Sequence, residues 1–150
     1  MPWRDATLIF LCAALGGCSY DYEILAVARG GQLVFVVDPE SGQAPSCVRQ
    51  VEVIAEQGAR ARPQPGDNAS RLGYGTFWFE SVGYDDACAN RFPVAYGTTL
   101  NGRHQNDRGL VAPKALLRDV VYRVSTTTGA TGYGSGRFVI RSDGRIENLR

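Results

Sequence analysis

The 150-residue sequence predicts an all-β fold, a sandwich or small barrel of about seven to nine strands, and three observations predict it. Short runs rich in valine, isoleucine and aromatic residues recur along the chain, several with apolar residues at every second position. Glycine, proline, asparagine and aspartate cluster between those runs, as strand-to-strand turns require. After Leu15 no stretch carries apolar residues at helical spacing over a convincing length.

Taken in order, residues 22–28 (YEILAVA) and 32–37 (QLVFVV) are two strands joined by Arg29-Gly30-Gly31, a hairpin turn. Asp38-Pro39-Glu40-Ser41-Gly42 ends the second. In residues 47–55, Cys47, Val51, Val53 and Ala55 face one way and Gln50 and Glu52 the other, which predicts a half-buried strand. Residues 57–70 (QGARARPQPGDNAS) predict an exposed loop. Residues 76–82 (TFWFESV) form the densest aromatic strand, with Trp78 as a core anchor. Residues 92–97 (FPVAYG) predict a short edge strand, because Pro93 lacks the N–H that a central strand must donate. Residues 101–107 (NGRHQND) are a polar loop. In residues 120–126 (VVYRVST), Val120, Tyr122 and Val124 face inward. A Thr/Gly loop then leads to a strand at 136–141 (GRFVIR), and Asp143-Gly144 turns the chain into a last strand at 146–149.

Leu116, Tyr122 and Val124 have the Leu-x5-Tyr-x-Val spacing that resembles the penultimate strand of fibronectin type III and related immunoglobulin-like domains. That resemblance covers about 30 residues. It implies a β-sandwich in which the Tyr122 hydroxyl bonds back to the chain at the sheet corner. The strand after Asp143-Gly144 departs from it. The alternative architecture is a small calycin-like barrel.

The N-terminus reads differently. A short head, Met1-Pro2-Trp3-Arg4, precedes an apolar run over residues 6–15 that ends in Leu15-Gly16-Gly17-Cys18. The run is too short for the ~20 residues that a bilayer-spanning helix needs, and its cationic head, short apolar core and small terminal residues suit a secretory signal. Leu15-Gly16-Gly17-Cys18 resembles the lipobox of bacterial lipoproteins. The resemblance implies that residues 1–17 are a cleaved signal peptide and that residues 18–150 form one β-rich domain. It further implies that Cys18 receives two or three acyl chains, enough for stable anchoring. Ser19, being other than Asp, implies sorting to the outer rather than the inner membrane. An ordinary signal peptide and an uncleaved anchor are the competing readings.

Charge excludes one class of partner. Lys+Arg number 16 and Asp+Glu 15, so no basic footprint for nucleic acid is present. Cys12 falls in the apolar run and Cys18 in the lipobox. Cys47 and Cys88 remain as an even pair in a compartment that permits disulfides, and bridging them would stabilise the fold by roughly 4 kcal/mol on the chain-entropy model. A metal pair is the rival reading, but with one His and no Cys-x-x-Cys, neither metal nor cofactor is expected.

Catalytic residues are hard to assemble. His104 is the sole histidine, and no Gly-x-Ser-x-Gly elbow surrounds Ser70, Ser81 or Ser135. His104 is therefore expected in a solvated loop, with a base or a metal ligand beside Asp85, Asp86 or Asp107 as alternatives. The acidic turns at Asp38 and at Asp85-Asp86 lack the spacing of a calcium loop. Tyrosine beside glycine recurs at Tyr74, Tyr84, Tyr96 and Gly132-Tyr133-Gly134. These are either strand ends or binding loops, with Tyr74, Tyr133, Gly132 and Gly134 the candidates. The expectation is a lipid-anchored, non-catalytic envelope protein that binds another protein. The alternatives are a polysaccharide or cell-wall binding module, then a small hydrolase or an enzyme inhibitor.

Overall fold

A computed structural model describes residues 18–85, 87–104 and 109–150. The expected signal peptide, together with Asp86 and Asp107, lies outside the described residues. Strands β1 (Tyr20–Arg29), β2 (Gln32–Val37) and β3 (Gln50–Ala55) are followed by a five-residue helix, α1 (Ala69–Gly73). Then come β4 (Thr76–Ser81), β5 (Val94–Ala95), β6 (Val121–Thr127), β7 (Gly132–Ile140) and β8 (Ile146–Leu149). The fold is all-β, with eight strands in one mixed sheet of order β4-β3-β6-β7-β1-β2-β5 and β8 paired to β7.

β1 is the pivot of that sheet. Its first residues, from Tyr20 to Glu23, run parallel to β7, and from Ile24 onward it pairs antiparallel with β2. The sheet therefore curls, bringing β2 and β5 over β3, β4, β6 and β7. Ring contacts mark the seam: Phe35 meets Phe138 at 5.7 Å, and Trp78 meets Tyr96 edge-on at 5.2 Å. Alternation explains which side chains enter the seam. Tyr22, Ile24 and Ala26 of β1, Val51, Val53 and Ala55 of β3, and Tyr122 and Val124 of β6 are all buried. Each fully buried aromatic or aliphatic side chain contributes about 1.5–3 kcal/mol.

The Arg29-Gly30-Gly31 turn is as expected, with both glycines at positive φ (57° and 78°), which a two-residue hairpin of primed type needs. The tyrosine corner also forms. The Tyr122 hydroxyl accepts the Leu117 N–H at 2.9 Å. Of the strand expected over 92–97 only Val94–Ala95 forms; it pairs with β2 alone, and Pro93 stands just before it, where no ladder N–H is needed.

The extents of two expected loops need correction. Residues 57–70 are not wholly an exposed loop: the Asn68 side chain caps α1 by accepting the Arg71 N–H, and the Asp67 carboxylate is buried. The Thr/Gly stretch is not a loop up to residue 136 either. β7 begins at Gly132, so Gly132, Tyr133 and Gly134 are strand residues. The reason is steric. A Cβ on Gly134 would stand 2.2 Å from the Tyr22 ring, one on Gly136 2.0 Å from the Ile24 carbonyl oxygen, and one on Gly132 2.7 Å from the Tyr20 hydroxyl. Glycine on alternate positions lets β1 lie against β7, and its tyrosine rings cover the vacant face. Beyond Gly136 the two strands part. There the Asn148 amide donates to the Ala26 carbonyl and accepts its N–H, at 2.9 and 2.8 Å, so a side chain bridges β8 to β1.

Candidate functional site

The candidate residues lie at two ends of the domain, and register tells those ends apart. Along β3, Gln50 faces Ser81 and Thr127, while Ala55 faces Tyr122 and donates to the Gly75 carbonyl. Five residues of strand separate those points, roughly 17 Å.

At the Gln50 end the chain enters the domain. Cys18 is exposed and stands two residues before β1, and the Tyr20 N–H already bonds to the Thr131 carbonyl at 2.8 Å. Cys47 and Cys88 form the expected disulfide across 41 residues, with their Cα atoms 5.7 Å apart. It ties the loop after β4 to the segment before β3, beside the turn between β6 and β7. Tyr84 and Tyr133 sit on this end, 51% and 44% exposed. The Tyr133 hydroxyl donates to the Ala130 carbonyl, and the Tyr84 ring borders Gly129 with the Arg49 guanidinium 5.7 Å from its centroid.

At the Ala55 end, Tyr74 follows α1 and is 78% exposed. A groove of about 550 Å³ opens nearby, lined by Arg60, Ala61, Arg62, Phe77, Pro113 and Leu117. Leu117 is 48% exposed at its rim. Of the tyrosine–glycine candidates, then, Tyr74 lies at one end and Tyr133 with Gly132 and Gly134 at the other. They do not form a shared aromatic platform.

Between the ends, titratable groups pair along the outer edge of β4, Lys114 with Asp67 buried and His104 beside Glu80 partly exposed. Glu80 accepts the Leu100 N–H at 2.8 Å, and burial pushes its carboxyl above the usual range, partly offset by that bond and by His104. His104 pairs with Val82 through a β-bridge, and its Nδ1 lies 3.9 Å from the Glu80 carboxylate without a hydrogen-bond partner. It is therefore packed against β4 rather than free in a solvated loop. Lys114 bonds to Asp67 and Gln64, all but closed to solvent. Burial raises the Asp67 carboxyl, but Lys114 and the N–H groups of Gln64 and Ala112 outweigh it and hold the group below the usual range. Among the described residues no cluster of three or more His, Cys, Asp or Glu is arranged to hold a metal ion. The Asp38 turn spends its carboxylate on the Glu40 N–H, as ordinary turn chemistry does.

Sequence reasoning missed the groove, the Glu80–His104 contact and the Lys114–Asp67 pair. Each joins segments far apart in the chain, and no local pattern signals them. Arg60 and Arg62 flanking Ala61 were the one available sign of a cationic rim.

The chain matches no protein-family model, no curated protein and no solved structure. Its functional reading therefore rests on its own residues and geometry.

Proposed function

We propose that this is a lipid-anchored, non-catalytic protein of the bacterial envelope that binds another protein through the end of the domain opposite Cys18. The observation that carries the reading is the pairing of a lipobox cysteine at one end with exposed Tyr74, exposed Leu117 and an arginine-rimmed groove at the other. Exposed aromatic and arginine side chains beside apolar surface are what protein interfaces concentrate. Arg60 and Arg62 favour a partner segment that is apolar and acidic. Arginines outside the groove are engaged within the fold: Arg71 of α1 pairs with Glu52 of β3, Arg137 of β7 with Glu56 just past β3, and Arg141 just past β7 with Glu147 of β8.

The test is a cross-linked pull-down of the full chain from intact envelopes, read by mass spectrometry, with Tyr74→Ala/Leu117→Ala as the comparison. One or two stoichiometric envelope proteins, depleted at least tenfold by the double substitution, are the expected result. Retention on cell-wall polysaccharide without a protein partner would move the assignment to a carbohydrate-binding module. An enzymatic activity abolished by His104→Ala would overturn the non-catalytic reading.

A further inference from the structure

We infer that the Cys18 end of the domain rests on the bilayer, with Tyr84 and Tyr133 at the level of the lipid headgroups. The inference rests on the acylation of Cys18 proposed above. Two residues of extended chain reach at most about 7 Å, and Tyr20 is already fixed by its bond to Thr131 and by the parallel ladder with β7. An acyl chain on Cys18 therefore has almost no tether. It pulls the start of β1 and the turn between β6 and β7 to the membrane surface.

The side chains at that end suit the place. Tyr84 and Tyr133 are the large exposed rings there, and both lean on residues of the 128–131 turn. A tyrosine ring with an apolar body and a polar tip is stable where one side is apolar and the other wet. Three segments hold the two rings in place: the loop clamped by the Cys47–Cys88 disulfide, the turn between β6 and β7, and the start of β1. Among the described residues charge at this end is mixed, Arg49, Arg91 and Arg103 against Asp21 and Asp85, so the aromatic rings and the short tether carry the inference rather than attraction to anionic lipid. The same geometry turns Tyr74 and the arginine-rimmed groove away from the membrane, toward any partner.

The chain has seven tyrosines, so fluorotyrosine labelling reports both ends without altering the surface. The full-length protein, processed in a lipoprotein-secreting host, is placed in nanodiscs of phosphatidylethanolamine and phosphatidylglycerol. Fluorine spectra are compared with and without headgroup spin-labelled lipid, using Tyr→Phe variants for assignment. The expected result is a loss of at least threefold in the Tyr84 and Tyr133 signals with less than a 1.5-fold loss at Tyr74. Equal losses at both ends, or a greater loss at Tyr74, would overturn the orientation. Intact mass of the same sample separates the two readings: an unmodified Cys18 defeats the anchoring itself, whereas an acylated Cys18 with equal losses defeats the orientation alone.

Discussion

Lys114, the sole lysine in the chain, is buried with its ammonium bonded to Asp67 and Gln64. Asp67→Ala would leave that charge unpaired, which costs about 3–5 kcal/mol in a buried pair. Denaturant melts should show a loss of that size. A loss below 1 kcal/mol would mean that the pair is solvated. The two buried carboxylates respond to pH in opposite senses. Asp67 is held below its ordinary pKa, so its contribution is present above the usual carboxylate range and is lost as pH falls through its folded value. Glu80 is raised, so its folded form binds the proton more tightly, and its contribution falls as pH rises from the usual carboxylate range through the raised value. Glu80→Gln keeps an acceptor for the Leu100 N–H and removes the buried charge. Its melting temperature should exceed the parent's at pH 7 and match it near pH 4. A variant less stable than the parent at pH 7 would contradict this. None of these pairs was legible in the sequence, because a buried lysine or glutamate has the same local context as an exposed one.

At the scale of elements, strands with period-two alternation were legible, as in β6, whose burial alternates along Val121–Thr127, and β2 occupies the residues that its run of β-branched and aromatic side chains marks out. β7 was legible only in its second half, because its first half reads as Gly-Tyr-Gly-Ser-Gly and glycine is depleted in strands. The missing signal is tertiary: β1 supplies the bulk that the glycines omit. Gly136→Ala places a Cβ 2.0 Å from a backbone oxygen of β1, where nothing flexible can yield. Overpacking of this kind costs about 1–3 kcal/mol or more. Gly73→Ala is the control, since open space surrounds it in α1 and alanine there should stabilise by about 0.4–1 kcal/mol. Thermal melts giving both variants the same sign would contradict the account of β7. α1 itself escaped notice because five residues are too few to show a helical period.

For the whole molecule, the all-β class follows from turns and alternation readable in one dimension, whereas the curl of the sheet depends on the parallel pairing of β1 with β7, which no local pattern signals. What stayed hidden was the division of the surface into two ends, since Tyr74 and Tyr133 carry the same glycine neighbours but sit at opposite ends of the sheet. The disulfide stabilises one of those ends. Cys47→Ser/Cys88→Ser should lose about 2–5 kcal/mol, and thiol labelling of the native protein should leave Cys47 and Cys88 unreacted until reductant is added. The claim on which the functional account depends most is the acylation of Cys18, and mass spectrometry of the mature protein recovered from membranes tests it most directly. The account predicts an N-terminal peptide that begins at Cys18 and carries the mass of two or three acyl chains. A mature chain that begins elsewhere, or a Cys18 thiol without lipid, would contradict it.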